Sequence, residues 1–116
     1  MKHYDLVEIA IAKRKRDYEQ KRLELLSRAF SALNLLALRI PFEQAYIFGS
    51  ASNQYEFDEF SDLDIGFLGL SDEDFFKALV FLCNEIEMDN IDVVQLEEHR
   101  LASMIMKEGI PWIRKD

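Results

Sequence analysis

The 116-residue chain lacks both the cysteine pairs that cross-link small folds and the long apolar segments that cross membranes. Its single cysteine, Cys83, excludes an internal disulfide and any zinc site built on several cysteines. No apolar run approaches the roughly 20 residues that span a bilayer. Acids also interrupt the N-terminus where a secretion signal would be apolar. We therefore expect a cytoplasmic protein that keeps its thiol reduced and has no membrane partner.

Positive charge is scarce, with 14 bases against 22 acids and a net charge of −8. The first 28 residues hold eight bases and five acids, so the excess of acids lies in the rest of the chain. Because neutralising phosphates supplies most nucleic-acid affinity, this balance excludes a general nucleic-acid binder. It is compatible with phosphate chemistry screened by divalent cations, or with a basic protein partner.

Glycine and proline number only 4 and 2, and the chain has no repeat or low-complexity tract. Hydrophobic residues make up 49% of the chain, which is too many for a disordered protein. The length suits one structural domain overall, with a single core. Within it we distinguish an N-terminal helical segment, residues 1–40, from the remaining residues 41–116.

Hydrophobic spacing predicts a long N-terminal helix over 4–38, either continuous or bent once, which Pro41 ends. The stretch 13–22 interrupts the apolar stripe and is predicted to be a solvated helical face. The pattern then predicts strand, strand, helix, strand, helix and edge strand over 45–48, 62–68, 72–88, 91–96, 97–107 and 110–113. The expected fold class is α/β (α+β), a small mixed sheet with flanking helices.

Three details of these elements are specific predictions. Strand 62–68 turns Leu63, Ile65 and Phe67 to one side. Helix 72–88 begins at a capping Ser71 and buries Phe75, Phe76, Leu79, Leu82, Cys83 and Ile86. Helix 97–107 ends at Gly109 in the left-handed conformation.

Aspartates in the predicted strands indicate a site that binds divalent cations and accepts a proton. Asp62 and Asp64 lie two residues apart, so their carboxylates face the same side of a strand. The two charges repel one another unless divalent cations lie between them, and hard oxygen ligands of this kind suit Mg²⁺. Asp92 adds a carboxylate in an otherwise apolar strand, where a charge is costly unless paired or liganded. Such a carboxylate also suits acceptance of a proton from an attacking hydroxyl.

Gly49 and Ser50 directly follow the strand 45–48. A glycine at a strand exit lets the backbone approach a phosphate closely, and the serine hydroxyl and following N–H groups can bind an anion. Ser50 is also compatible with a helix N-cap. Asp92 is compatible with a strand-start residue bonded to a turn, and the other two aspartates with a solvated loop.

Taken together, these segments resemble a known family. Ile47-Phe48-Gly49-Ser50, followed by Ser61-Asp62-Leu63-Asp64-Ile65-Gly66, resembles the signature of the nucleotidyltransferase (DNA polymerase beta-like) superfamily. Residues 41–116 are most similar to the minimal nucleotidyltransferase (MNT) domains, which are often paired with HEPN-domain toxins. Ile91-Asp92-Val93-Val94 matches the family's later strand with the third acid.

The resemblance implies a Mg²⁺-dependent nucleotidyltransferase that transfers AMP from ATP to a hydroxyl. Gly49 and Ser50 would bind the nucleotide phosphates. Asp62, Asp64 and Asp92 would be the catalytic residues and would also bind metal, with two Mg²⁺ ions expected. The resemblance further implies an antitoxin that modifies a tyrosine of its partner, a HEPN-domain ribonuclease toxin.

The chain departs from the family pattern after the Gly-Ser pair, where an arginine is usual. Here residues 51–54 read Ala-Ser-Asn-Gln. This leaves open an acidic antitoxin that is catalytically weak or inactive and neutralises its partner by binding alone. A third function is nucleotidyl transfer to a small molecule such as an aminoglycoside. A homo-oligomer is open in each case.

Overall fold

The computed structural model describes residues 5–114. The helices are α1 (Leu6–Leu36), α2 (Asp72–Ile86) and α3 (Ala102–Glu108). The strands are β1 (Gln44–Phe48), β2 (Leu63–Leu68), β3 (Ile91–Gln95) and β4 (Ile110–Trp112). Short 3₁₀ turns follow β1 and β3, at Gly49–Ser52 and Leu96–Glu98. None of the helices among these residues combines the length and the apolar character needed to cross a membrane.

The long N-terminal helix forms as one continuous element, α1. The side chain of Asp5 caps it by accepting a hydrogen bond from the backbone N–H of Val7 at 2.9 Å. The 31 residues of α1 correspond to roughly 46 Å of helix. Its C-terminal half packs on the core, where Ala29 and Leu33 are fully buried, whereas Leu6 at the other end is 80% exposed.

The predicted solvated face of α1 is only partly right. Lys13 and Arg16 are exposed, as expected, but Arg22 is buried. Arg22 lies one helical turn before Leu26, where the apolar stripe begins, and therefore points toward the body of the protein. Its burial is possible because Glu19, one turn earlier, pairs with it at 2.8 Å.

The four strands form one mixed sheet in the order β3-β2-β1-β4. Strand β1 is antiparallel to β2 and β4, while β2 and β3 are parallel and joined by α2. Leu63, Ile65 and Phe67 are fully buried, as the alternation predicted. They join the buried residues of α1 and α2 in one hydrophobic core. The small mixed sheet with flanking helices and a long N-terminal helix is thus confirmed.

Helix α2 begins as predicted but ends early and buries a different set of side chains. The hydroxyl of Ser71 accepts a hydrogen bond from the backbone N–H of Asp74, and Glu87 ends the helix in the left-handed conformation. Ala78, Leu82 and Ile86 are the buried residues, and Phe75, Leu79 and Cys83 are half-buried. The predicted burial of Phe76 is wrong, since this side chain is 70% exposed. Phe76 lies to one side of the helix face that repeats at every third and fourth residue.

The predicted helix 97–107 is divided in two. A 3₁₀ turn at Leu96–Glu98 comes first, and α3 starts only at Ala102. Between them the backbone N–H of Leu101 donates to Nδ1 of His99, a local bond that competes with helix formation. Gly109 ends α3, but in an extended conformation, so its predicted left-handed geometry is wrong. Glycine is required there for space, because a Cβ would lie 3.0 Å from the backbone oxygen of Ile47.

Candidate active site

Two of the three predicted aspartates lie side by side on the sheet. In the parallel pairing of β2 with β3, Asp64 is the direct partner of Asp92. Their side chains share the face opposite to the buried Leu63 and Ile65, since side chains alternate along a strand. Neighbouring strands lie roughly 4.8 Å apart, so two carboxylates in register are close neighbours. Asp62 lies one residue before β2 and is exposed.

The electrostatics of this cluster identify Asp64 as its centre. The pKa of Asp64 is raised to about 6, first by burial of its carboxyl group, then by the negative charge of Asp92, and then by that of Asp62. Burial and like charge both disfavour the ionised form. The carboxylates of Asp92 and Asp62 therefore both act on that of Asp64.

Gly49 touches this cluster from the neighbouring strand. Phe48, the last residue of β1, is the register partner of Asp64, and Gly49 follows it with φ of +73°. A Cβ at position 49 would overlap Oδ2 of Asp64. Glycine is therefore required here twice over, for its left-handed backbone and for the close approach of that carboxylate.

The residues after Gly49 form a tight turn beside the carboxylates. The side chains of Ser52 and Asn53 both donate to the backbone oxygen of Gly49, at 2.7 and 3.1 Å. Ser50 is half-buried within this turn. The interpretation of Ser50 as a helix N-cap is wrong, because Phe48 occupies that position and no side chain caps the turn.

A cavity of about 250 Å³ opens on the α3 side of the same turn. It is lined by Phe48, Gly49, Ser52, Asn53, Met104, Ile105, Glu108 and Gly109. The lining combines apolar side chains with a few polar groups, which is the usual make-up of a small-molecule site. Sequence reasoning did not find this cavity, because it depends on how α3 returns across the end of β1.

A second feature that sequence reasoning missed lies behind the turn. The guanidinium of Arg22 donates to both carboxylate oxygens of Glu19 at 2.8 Å and to the backbone oxygen of Ala51 at 3.1 Å. Glu19 also accepts a hydrogen bond from the backbone N–H of Tyr55 at 2.9 Å. The bonds from Arg22, and then that from Tyr55, lower the pKa of Glu19 to about 2. The signal was the position of Arg22 in line with the apolar stripe of α1.

The donor set fits a divalent cation in its chemistry. Mg²⁺ prefers carboxylate oxygens, commonly binds through one or two of them, and completes its shell with water and substrate phosphates. Within residues 5–114, no three acidic, histidine or cysteine side chains converge tightly enough to hold a metal ion unaided. The proposed set of Asp62, Asp64 and Asp92 would therefore share its ions with a bound phosphate, and its metal role stays a prediction.

These features define the class of protein. Paired carboxylates beside a glycine turn suit a phosphate that is bound together with a divalent cation. The family model described as "Polymerase beta, Nucleotidyltransferase" matches residues 33–116. The chain belongs to this family, and the match supports a nucleotidyl-transfer function. No curated protein and no solved structure in the comparisons matches the chain.

Proposed function

We propose that the chain transfers AMP from ATP to a hydroxyl group in a Mg²⁺-dependent reaction. The pairing of Asp64 with Asp92 across β2 and β3 carries this proposal. Burial first, and then the negative charges of Asp92 and Asp62, raise the pKa of Asp64, so its ionised form is poorly stabilised without a ligand. A divalent cation bound there would relieve that repulsion and would neutralise charge on the phosphates.

The turn after β1 is suited to the phosphate end of the nucleotide. The left-handed Gly49 leaves no side chain between the backbone and the carboxylate of Asp64. The backbone N–H of Ser50, at the start of this 3₁₀ turn, can donate to a phosphate oxygen. The cavity of about 250 Å³ beside Gly49 offers a place for the nucleobase, with the side chain of Met104 as an apolar wall.

The proposed reaction is an in-line displacement at the α-phosphorus. The acceptor oxygen forms a bond to that phosphorus as the bond to the bridging oxygen breaks, and pyrophosphate leaves with the electron pair. Asp92, which is exposed in the N-terminal half of β3, would take the proton of the attacking hydroxyl. Asp62 and Asp64 would hold the metal ions, and Asp92 would help to bind metal as well as accept the proton.

The acceptor that we propose is a tyrosine hydroxyl on a HEPN-domain ribonuclease toxin, for which this chain would be the antitoxin. Two observations support it: the resemblance to MNT domains, and the excess of acids over bases outside the first 28 residues. A protein that binds RNA carries positive charge, so a strongly acidic partner is complementary to it.

The direct test uses ATP labelled at the α-phosphate, Mg²⁺ and the HEPN partner. Label should appear on the partner with the native chain and be lost with Asp64→Asn. Glu73→Gln, on the exposed first turn of α2, is the matched removal of one negative charge away from the cluster. Absence of label with the native chain and its partner would contradict the proposal.

Neutralisation by binding alone is the second candidate, favoured by a specific observation. No lysine or arginine lies between Arg39 and Lys77, so the turn after Gly49 has no basic side chain of its own for phosphate. The double variant Asp62→Asn/Asp64→Asn separates the two functions. Toxin neutralisation that survives both changes would favour binding alone, whereas its loss would favour catalysis.

A further inference from the structure

Two side chains of the N-terminal helix are hydrogen-bonded to the turn that would hold phosphate and to the loop that follows it. We refer to Glu19 and Arg22 of α1 as the α1 clamp. The clamp meets the loop between β1 and β2 at two backbone atoms, the oxygen of Ala51 and the N–H of Tyr55. Ala51 is fully buried and lies within the turn Gly49–Ser52. The clamp thus spans the segment immediately after the predicted phosphate-binding pair.

The geometry of the clamp leaves Arg22 little freedom. Nε and one terminal nitrogen are bonded to the two oxygens of Glu19, and the other terminal nitrogen is bonded to Ala51. A bidentate guanidinium–carboxylate pair of this kind fixes orientation as well as distance. Both side chains are largely removed from solvent. Arg22 therefore supports the turn and is not itself available as a phosphate ligand.

The loop held by the clamp is locally strained. Tyr55 has φ of +64°, a left-handed conformation that is uncommon for a residue with a side chain. Such residues persist where the surrounding structure holds them in place. The bond from the Tyr55 N–H to Glu19 supplies such a hold. A loop with left-handed residues at Gly49 and Tyr55 would otherwise sample several arrangements.

We propose that the α1 clamp positions the Gly49–Ser52 turn for nucleotide binding, so that Arg22 and Glu19 are positioning residues of the site. This inference rests on the proposed nucleotidyl transfer from ATP. It gives the long helix α1 a role in the reaction, although residues 6–32 lie outside the part of the chain that matches the family model. The turn itself contains no basic residue. In this proposal an arginine on α1, Arg22, orders the turn instead.

The decisive variant replaces both members of the clamp with apolar residues, Glu19→Leu/Arg22→Met. Exchanging a buried ion pair for apolar side chains of similar size is often neutral for stability, and leucine and methionine favour helix. The fold should survive while the bonds to Ala51 and Tyr55 are lost. The matched control is Arg28→Met/Glu87→Leu, which removes an exposed pair that also involves α1, at 3.6 Å. Glu19→Gln is a milder variant that removes the negative charge and one of the two acceptor oxygens, and it serves if the double variant does not fold.

Two measurements on the folded proteins test the proposal. Amide hydrogen exchange should rise about tenfold or more over residues 51–57 in the clamp variant, as expected from loss of a hydrogen bond to a charged group. Exchange in β2 and β3 should stay unchanged. The Kd for Mg·ATP should rise by about the same factor, with kcat less affected, because the turn must then be ordered when the nucleotide binds. The control should match the native chain in both.

The outcomes are distinguishable. Unchanged exchange over 51–57, or increased exchange with unchanged affinity for Mg·ATP, would overturn the clamp as a positioning device. A native chain that binds no Mg·ATP would instead overturn the proposed function, and with it the nucleotide part of this inference. In that case the exchange measurement would still decide whether the clamp orders the loop.

Discussion

The two faces of β2 have different roles, although consecutive residues of the strand alternate between them. On one face Leu63, Ile65 and Phe67 are fully buried in the core. On the other face Asp64 lies half-buried beside Asp92, with its pKa raised by burial and by neighbouring charge. The first face stabilises the fold, and the second accepts electrostatic repulsion in a place where a ligand can relieve it.

The second face is itself divided. Its middle is closed, because Gly66 lies so near Leu96 that a Cβ would come within 2.8 Å of that side chain. Its end is open, where the turn after β1 passes Asp64. The contrast predicts that substitutions on the core face will change stability and leave the reaction of the folded enzyme intact. Substitutions at the open end should do the reverse.

Asp64→Asn is the variant expected to break the reaction most completely. It keeps the size of the side chain but removes a charge from the centre of the predicted metal cluster. We expect the rate of AMP transfer to fall by about 10³-fold or more, which corresponds to about 4 kcal/mol of transition-state stabilisation. Single-turnover transfer of the α-phosphate label measures this. A residual rate within tenfold of the native value would remove Asp64 from the catalytic set.

Ile65→Ala tests the opposite face, one residue further along β2. The side chain is fully buried, so its truncation leaves a cavity in the core. We expect a loss of about 3 kcal/mol in the free energy of unfolding, measured in urea. The transfer rate per folded molecule should equal that of the native chain. A comparable loss of rate in folded Ile65→Ala would show that the two faces are coupled.

The core face could be predicted from the sequence because burial follows a local rule. The alternation of Leu63, Ile65 and Phe67 fixes which side of the strand faces the helices. The same rule placed Asp64 on the other side. The meeting of Asp64 with Asp92 required one further step, namely that a helix between two strands makes them parallel neighbours. These parts of the site can be predicted because they follow from patterns within short segments of the sequence.

The parts that could not be predicted depend on contacts between distant segments. Arg22 is buried because it finds Glu19 beside it and the backbone of Ala51 nearly thirty residues away, and no local pattern encodes that loop. Gly109 was expected to supply a left-handed terminus, but it is needed for close approach to β1. Phe76 was assigned to the core from its hydrophobicity, which does not fix the angle at which α2 packs.

Gly49→Ala should affect both the stability of the fold and the reaction, unlike the two substitutions in β2. Alanine is strained at φ of +73°, and its Cβ would displace the carboxylate of Asp64. We expect a loss of about 1–2 kcal/mol in the free energy of unfolding, together with weaker binding of Mg·ATP. Thermal unfolding and nucleotide titration measure the two effects. Gly69→Ala is the control, since φ there is +77° but its near neighbour is Glu43, at the opposite end of β2.

The control should lose stability to a similar extent and keep its affinity for Mg·ATP. Equal affinity in the native chain and in Gly49→Ala would show that the nucleotide does not approach the turn. Equal losses of affinity at positions 49 and 69 would instead trace the effect to general loosening of the sheet.

The smallest effect is a gain in stability for Asp64→Asn that depends on pH. The folded chain raises the pKa of Asp64 from an ordinary value of 3.8 to about 6. The carboxyl therefore contributes stability that is fully present below about pH 4 and is lost as pH rises through 6. Asparagine cannot ionise, so the free energy of unfolding of the variant should match that of the native chain near pH 4 and exceed it above pH 6.

We expect a difference of about 1 kcal/mol or less between the two chains, because the half-exposed group is screened by solvent. Urea unfolding at pH 4 and pH 7.5 without divalent cations measures it, and addition of Mg²⁺ together with ATP at pH 7.5 should narrow the gap by stabilising the native chain more than the variant. A variant less stable than the native chain at pH 7.5 without metal would show that the open face of β2 carries no repulsion.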